Sequence, residues 1–249
     1  MMELCVVGSG TGIPSPKRAS PGYLLKLPHQ TLLIDSGPGT VRRLSELGLT
    51  LHDIDALCYT HFHPDHIADL VHFFFASKNP QDPRKKPLTL LGGPGIQSFY
   101  EKLLDVYEGV FRPVFPLSIF ELADSQHDDA HYRLFTLPLL HTPHSIGYRF
   151  EAEGKTVVFS GDTDVCENLV TLAREADLFI VECSFPDSLK VQGHLVPSEC
   201  GQLAERAKAK KLLLSHFYPP CETADLVGAC RPFYSGEILL ASDSLKLKV

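Results

Sequence analysis

The segment Thr60–His66, which reads THFHPDH, constrains this chain more than any other part of its sequence. The apolar run Ala56–Thr60 predicts a strand that ends where the segment begins, and Pro64 predicts the first turn of a helix. Three imidazoles and one carboxylate lie within six residues, and these are ligand types of zinc and similar divalent metals. A polar turn without metal could explain any one of these histidines, but not the whole set.

Three later residues extend this pattern. His141 and His216 each follow an apolar strand, and Asp162 lies in the sequence Ser160-Gly161-Asp162-Thr163. Side chains at the ends of neighbouring strands converge at one edge of a sheet. The two parts together supply five histidines and two aspartates, which is enough for two adjacent ions bridged by one carboxylate.

The order of predicted elements favours an α/β protein. Runs of strands separated by helices occur in both halves of the chain, which predicts two sheets sandwiched between helices. No repeat or linker divides the sequence, so we expect one domain over residues 1–249. Charged residues make up 21% of the chain, too few for a disordered protein, and no apolar run approaches the length of a membrane span. Segments 78–87 and 124–130 are polar and are expected to be surface loops, with Arg84, Lys85 and Lys86 as a solvated basic run.

Composition also bears on location and partners. The chain has 30 Asp and Glu against 23 Lys and Arg, and this net charge of −7 argues against nonspecific binding of nucleic acid. The seven cysteines are odd in number and none are spaced as Cys-x-x-Cys, which favours reduced thiols in a cytoplasmic protein. The first ten residues lack the features of a secretion signal, and we expect no membrane association.

An ordered series of motifs runs through nearly the whole chain. They are Gly8–Gly12, Ile34–Gly37, His61–His66, Gly147–Arg149, Ser160–Thr163, Glu182, Gly193–Leu195, Leu214–Phe217 and Ala241–Asp243. With these motifs the sequence resembles the metallo-β-lactamase fold superfamily, most closely its ribonuclease Z-like and phosphodiesterase-like branch. The resemblance implies a four-layered αββα sandwich. It also implies two divalent metal ions, one held by His61, His63, His141 and Asp162, the other by Asp65, His66, Asp162 and His216.

Two positions bear on that assignment. His144 is a rival to His141, although the spacing to Gly147-Tyr148-Arg149 favours His141. Asp162 stands where some members of the superfamily, true β-lactamases among them, carry cysteine, so the resemblance implies a phosphodiesterase rather than a β-lactam hydrolase. Imidazole and carboxylate suit zinc, manganese and iron alike, and zinc is the expected metal.

The resemblance implies hydrolysis by a water that the two ions activate. Asp65 is expected to orient this nucleophile as well as to bind metal, and His194 is the candidate proton donor to the leaving group. The alternative for His194 is a loop residue that caps the following helix. Glu182 is expected to orient His194, and Asp35 either orients a ligand histidine or forms an Asx turn.

The expected substrate is a small phosphodiester, such as a cyclic nucleotide or a cyclic sugar phosphate. Ribonuclease Z enzymes carry a long arm between the positions of His141 and Asp162, but only twenty residues separate them here. With the negative charge, this makes nucleic acid a disfavoured partner, and Lys17, Arg18 and Arg149 are candidate phosphate contacts. The alternatives are a ribonuclease Z-type endonuclease, a thioester or lactone hydrolase, a single-iron persulfide oxygenase and a metal-bound scaffold without turnover.

The run Phe73-Phe74-Phe75 allows more than one interpretation. Packing of these rings in the core is the default expectation, because one side of a helix faces the sheet. The alternatives are a dimer face or a lip above the metals, and the resemblance implies a homodimer.

Overall fold

A computed structural model describes residues 2–249, which form two seven-stranded sheets packed face to face. The strands of the first sheet are β1 (Glu3–Gly8), β2 (Gly22–Lys26), β3 (Thr31–Ser36), β4 (Ala56–Tyr59), β5 (Leu88–Gly92), β6 (Leu117–Glu121) and β14 (Lys246–Lys248). Their order is β14–β1–β2–β3–β4–β5–β6. The strands of the second sheet are β7 (Ser125–Asp128), β8 (Arg133–Pro138), β9 (Ile146–Ala152), β10 (Lys155–Phe159), β11 (Leu178–Glu182), β12 (Lys211–Ser215) and β13 (Glu237–Leu240). Their order is β13–β12–β11–β10–β9–β8–β7.

The composition of the strands explains why the sheets are covered on both faces. In β3, Leu32 and Ile34 belong to the core between the two sheets, whereas Leu33 belongs to a second core on the outer face. Successive side chains of a strand point to opposite faces. A strand that is apolar at both kinds of position must therefore be buried on both sides.

Seven α-helices in the described range supply the outer cover. They are α1 (Thr40–Glu46), α2 (Pro64–Ile67), α3 (Asp69–Ala76), α4 (Ile96–Val106), α5 (Glu167–Leu172), α6 (Pro197–Ala207) and α7 (Leu226–Cys230). Side chains of α1 to α4 pack on the first sheet, and those of α5 to α7 pack on the second. The layers run helix, sheet, sheet, helix, which confirms the predicted αββα sandwich. None of these helices is long and apolar enough to cross a bilayer.

The phenylalanine run on α3 is divided between core and surface. Phe73 and Phe74 are fully buried, and the Phe74 ring stacks on Phe115 with 5.9 Å between ring centres. Phe75 is 57% exposed. Core packing is confirmed for the first two rings, and the dimer remains a prediction.

The expected loop over residues 124–130 is wrong. Residues 125–128 form β7 at the edge of the second sheet, where β7 pairs antiparallel with β8. Its side chains are half-buried or exposed in alternation, and none is fully buried. An edge strand that meets solvent needs no apolar residues, so its sequence carries no hydrophobic pattern. The sequence also did not predict α7, whose five residues are too few to give a helical repeat.

Arg84 is fully buried, although the sequence predicts a solvated basic run. Its guanidinium donates hydrogen bonds to the carbonyl oxygens of Leu51, Ile54, Lys86 and Pro87. It also lies 5.3 Å from the centre of the Phe115 ring. Only Lys85 of the three basic residues is fully exposed. Arg84 therefore joins the loop before β5 to the segment before β4 through backbone carbonyl groups.

Replacing Arg84 with methionine should lower the free energy of unfolding by about 3–5 kcal/mol, because several carbonyl groups lose their donor. Urea titration of the metal-free protein measures this loss. Lys85→Met is the matched control and should change the free energy of unfolding by less than about 0.5 kcal/mol. Equal effects of the two substitutions would contradict a structural role for Arg84.

The carboxyl ends of the parallel strands meet at one edge of the sandwich. β3 and β4 are parallel in the first sheet, and β10, β11 and β12 are parallel in the second. Near these ends lie Asp35, His61, Asp162, Glu182 and His216. The fold thus brings polar residues from both halves of the chain to one place.

Candidate metal centre

Four of the predicted ligands form a first group at this edge. They are His61, His63, His141 and Asp162. Nδ1 of His63 is 3.1 Å from Nε2 of His141. Nε2 of His61 and Nε2 of His141 are each 3.8 Å from Oδ2 of Asp162.

A second group lies on the other side of Asp162 and consists of Asp65, His66 and His216. Nε2 of His66 and Nε2 of His216 are 3.2 Å apart. They are 3.3 and 3.4 Å from Oδ1 of Asp162, and Oδ2 of Asp65 is 3.6 Å from Nε2 of His216. One oxygen of Asp162 therefore faces each group, which is the arrangement of a bridging carboxylate.

These residues fit a divalent metal. Nε2 of His61 and Oδ1 of Asp162 are buried side-chain atoms without a hydrogen-bond partner among the described residues. A buried polar atom without a partner is costly, so such atoms indicate a missing cation or donor. Nitrogen and oxygen atoms about 2.0–2.1 Å from one tetrahedral ion lie about 3.3 Å from one another. The separations of 3.1 to 3.8 Å between ligand atoms are close to that value.

Two glycines allow the ligands to converge. A Cβ on Gly37 would lie 1.8 Å from the carbonyl oxygen of Asp65, so no other residue fits there without moving Asp65. Gly161 has a φ of +59° and packs against the side chain of Thr60. Asp162 directly follows Gly161, and His61 directly follows Thr60. The close approach of Gly161 to Thr60 therefore places Asp162 beside His61.

Hydrogen bonds orient four of the five histidines through the ring nitrogen that faces away from the centre. The pairs are His61 with Thr60 Oγ1 at 3.1 Å, His66 with Asp35 Oδ2 at 2.8 Å, His141 with the Gly193 carbonyl at 2.9 Å and His216 with Ser184 Oγ at 2.9 Å. Such partners hold the tautomer and the ring orientation that metal binding needs. The sequence predicts this orienting role for Asp35, but it does not predict it for Ser184 or for the carbonyl of Gly193.

Asp35 is bound on both oxygens. Oδ1 accepts from the backbone N–H of Thr60, and Oδ2 accepts from the Thr60 hydroxyl and from His66 Nδ1, each at 2.8 Å. These partners lie far from Asp35 in sequence, so its carboxylate orients a ligand histidine rather than closing a local turn.

Asp35→Asn should weaken metal binding by about 10- to 100-fold, the usual cost of losing a carboxylate that holds a ligand histidine. Competition with a coloured chelator measures the dissociation constant. Asp53→Asn is the control, because Asp53 is an exposed carboxylate that only accepts hydrogen bonds from Thr50. Unchanged affinity in Asp35→Asn would show that Thr60 alone suffices to orient the site.

The charges of the site also suit a cation. Burial lowers the pKa of His61 well below its ordinary value, which keeps the ring neutral and able to donate a lone pair. Burial alone would raise the pKa of Asp162, but His216 and His66 outweigh it and hold that pKa well below its ordinary value. Burial likewise works against protonation of His66, yet the charges of Asp162 and Asp35 raise its pKa well above the usual range. The centre therefore favours positive charge.

His194 and Glu182 form a pair beside the metal ligands. Nδ1 of His194 lies 3.1 Å from Oε1 of Glu182, and 3.8 Å from Oδ2 of Asp162. Oε1 of Glu182 also accepts the backbone N–H of Thr163 at 2.8 Å, so the buried carboxylate is fixed. Burial lowers the pKa of His194, but the hydrogen bond and charge of Glu182 outweigh it and raise that pKa. His194 also lies in a third group of ligand-type atoms, with Asp162 and His216.

The sequence model of one protein family, described as the metallo-beta-lactamase superfamily, matches residues 16–213. This chain belongs to the metallo-beta-lactamase superfamily. The protein is a metal-dependent hydrolase of that superfamily.

Several curated proteins and solved structures are similar to this chain over nearly its whole length. A protein named Ribonuclease Z from Thermobifida fusca is 27% identical over 304 positions, covering 99% of this chain and 94% of the relative. The metallo-beta-lactamase fold protein YhfI from Bacillus subtilis has a TM-score of 0.86 at 24% identity, covering 99% of this chain and 98% of that one. The short form of human tRNase Z has a TM-score of 0.82 at 23% identity, with 99% of both chains covered. A diphosphatase of the PhnP family has a TM-score of 0.76 at 19% identity, with 100% and 98% covered.

The expectation that nucleic acid is a disfavoured partner is wrong, because a curated relative named Ribonuclease Z matches nearly the whole chain and a tRNase Z shares its fold. Net charge describes the whole surface, whereas a nucleic acid meets a local one. A groove of about 490 Å³ is lined by Lys17, Arg18, Arg42 and Arg43. Gly12 also lines it, and a Cβ on Gly12 would lie 3.4 Å from Cβ of Asp65. The side chains of Lys17 and Arg42 are 71% and 77% exposed.

Four other candidate residues, His144, Arg149, Arg18 and Lys17, lie outside the metal groups. His144 faces the carbonyl of Pro94 at 2.7 Å and its ring stacks on Phe62, so His141 and not His144 joins the ligands. Arg149 is held by the carbonyl oxygens of Leu172 and Arg174 and by Glu151, beneath α5. Arg18 donates to Ser9, the Ala241 carbonyl and Glu222. Lys17 is exposed and pairs with the same Glu222 at 3.4 Å.

Proposed function

We propose that this protein is a phosphodiesterase that uses two divalent ions, with zinc as the metal. The observation that carries this proposal is that the two carboxylate oxygens of Asp162 face different groups of ligand-type residues. Oδ2 faces His61 and His141, and Oδ1 faces His66 and His216. His61, His63 and His141 would hold the first ion, and Asp65, His66 and His216 the second. A single-iron oxygenase would not need the complete second group.

When bound, the two ions would supply a hydroxide at neutral pH and polarise a phosphoryl oxygen, which makes the phosphorus more open to attack. Residues of the chain would orient the nucleophile and give a proton to the leaving oxygen. Asp65 is half-buried, and its Oδ2 lies between His216 and His66, at 3.6 and 3.9 Å from their Nε2 atoms. It can therefore accept a hydrogen bond from the nucleophile as well as bind metal.

His194 would donate a proton to the leaving oxygen. Glu182 holds Nδ1 of His194, which leaves Nε2 as the atom that faces the substrate. The raised pKa of His194 keeps the ring protonated at higher pH than a free imidazole, as a general acid requires. Phe185 and Tyr218, stacked with 4.5 Å between ring centres, flank His194 and limit access of water from that side.

The proposed substrate is a small phosphodiester, such as a cyclic nucleotide or a cyclic sugar phosphate. Supporting this, β9 and β10 are joined by a two-residue turn at Glu153-Gly154, and this hairpin occupies the interval between His141 and Asp162 in which the resemblance implies the arm of ribonuclease Z enzymes. The match to the Thermobifida fusca protein spans 304 positions against 249 residues here, so at least 55 positions of the match have no counterpart in this chain. RNA is the second candidate. The name of that relative supports it, as does the groove lined by Lys17 and Arg42, whose side chains are exposed but pair with Glu222 and Glu46.

A substrate panel tests the proposal. Protein purified without chelators is assayed with bis(p-nitrophenyl) phosphate, cyclic nucleotides, a precursor tRNA, and a series of thioesters and lactones, with its metal content measured in parallel. We expect about two equivalents of divalent metal and turnover of phosphodiesters. Turnover of thioesters or lactones without any phosphodiester cleavage would overturn the phosphodiesterase, and less than one equivalent of tightly bound metal would overturn the two-metal site.

A further inference from the structure

Ser184 lies at the meeting point of three functional side chains. Its hydroxyl is 2.9 Å from Nδ1 of His216 and 3.3 Å from Nδ1 of His194, and it donates a short hydrogen bond to Oε2 of Glu182. The residue is fully buried, two residues after the end of β11. No water is needed to join the second group of metal ligands to the His194–Glu182 pair, because this one hydroxyl touches all three.

The backbone of Ser184 is fixed between the segments that carry these histidines. Its N–H donates to the carbonyl of Leu195 at 3.1 Å, next to His194 in sequence. Its carbonyl accepts the N–H of Tyr218 at 3.2 Å, two residues after His216, and the thiol of Cys221 at 3.2 Å. Movement of either segment therefore moves the hydroxyl.

The direction of the hydrogen bonds follows from the site. Nε2 of His216 faces His66 and Asp162, where a metal would take its lone pair, so Nδ1 carries the hydrogen and donates to Ser184. The Ser184 hydroxyl then has its own hydrogen free for Glu182. Glu182 accepts from Ser184 on one oxygen and from His194 mainly on the other.

We propose that Ser184 is a positioning residue that couples the metal ligand His216 to the Glu182–His194 pair, so that binding of the second ion and alignment of the proton donor depend on each other. This inference deepens the proposed function and rests on it. With His216 held by an ion, Ser184 is fixed and presents its hydrogen to Glu182. Without the hydroxyl, His216 Nδ1 and Glu182 Oε2 each lose a partner in a buried place.

Ser184→Ala tests the coupling with two measurements. Chelator competition should show that the second equivalent of Zn²⁺ binds about 10-fold more weakly, with the first equivalent unchanged. Hydrolysis of a dinucleotide, which has a poor alkoxide leaving group, should fall about 10-fold more than hydrolysis of bis(p-nitrophenyl) phosphate. Ser77→Ala is the matched control, because Ser77 is also a buried serine but donates only to the carbonyl of Phe73 in α3. Ser184→Thr keeps the hydroxyl and should restore both properties.

Further measurements distinguish a failure of the Ser184 coupling from a failure of the proposed phosphodiesterase activity. In a His194→Ala background, Ser184→Ala should no longer discriminate between leaving groups but should still weaken the second Zn²⁺. Equal losses on both substrates, or unchanged Zn²⁺ affinity, would overturn the coupling while wild-type phosphodiester turnover stands. If the wild type cleaves no phosphodiester at all, the proposed function fails, and the Zn²⁺ titration alone decides whether Ser184 supports His216.

Discussion

Asp162→Ala should lose both metal ions and reduce phosphodiester hydrolysis by at least about 10³-fold. Among residues 2–249, Asp162 is the one residue whose carboxylate faces both groups of ligands, so its removal takes an oxygen from each. The ions are expected to supply several kcal/mol of transition-state stabilisation, and each 1.36 kcal/mol is a factor of ten in rate.

Metal content and thermal unfolding test this result independently of activity. The wild type should unfold at a higher temperature with Zn²⁺ than with a chelator, since a ligand that binds only the folded state stabilises it. In Asp162→Ala this difference should vanish. Asp177→Ala is the control: Asp177 caps Thr156 and pairs with Lys155 and Lys210, apart from the metal ligands. An Asp162→Ala protein that retains two ions would contradict the bridging role.

His194→Ala should reduce hydrolysis of substrates with poor leaving groups by about 10²- to 10⁴-fold and leave substrates with p-nitrophenolate leaving groups nearly unaffected. A good leaving group departs without a proton, so only a poor one needs the acid. The ring is held by Glu182 at 3.1 Å and lies beside Asp162, within reach of the centre. Equal losses on both kinds of substrate would favour a metal ligand over a proton donor.

The pH dependence gives a second test of His194. A general acid must be protonated, so the rate falls as the pH rises through its pKa. Glu182 raises the pKa of His194, and Glu182→Gln removes the charge while keeping the shape. The alkaline limb of the rate profile should therefore move to lower pH in Glu182→Gln. A limb that stays in place would mean that another group titrates there.

The convergence of these side chains could be predicted because His61, His141, Asp162 and His216 stand close behind the ends of apolar strands, with His63, Asp65 and His66 directly after His61. The sequence shows these ends as changes from Leu and Val to His and Asp, and the structure brings them to one edge. Ser184 and the Gly193 carbonyl could not be predicted in the same way. A serine after a strand has many roles, and a backbone carbonyl has no side chain to mark it.

Two of the incorrect predictions have the same physical cause: a property of a whole segment or of the whole chain was applied to one residue or one surface. The two neighbouring lysines suggest that Arg84 is at the surface, yet hydrogen bonds from its guanidinium to four carbonyl oxygens stabilise it in a buried position. The net charge of −7 argued against nucleic acid, although basic side chains line a groove near Asp65. β7 was missed because polar residues can pair as an edge strand without an apolar face.

The distribution of the ligands over the two sheets has a consequence for folding. His61, His63, Asp65 and His66 follow β4 of the first sheet, whereas His141, Asp162 and His216 follow strands of the second. Metal binding would therefore join chain segments about 75 to 155 residues apart, and its free energy becomes available only when both sheets have assembled. A half-folded chain could not complete this centre, so bound ions would make the unfolding of the two halves more cooperative.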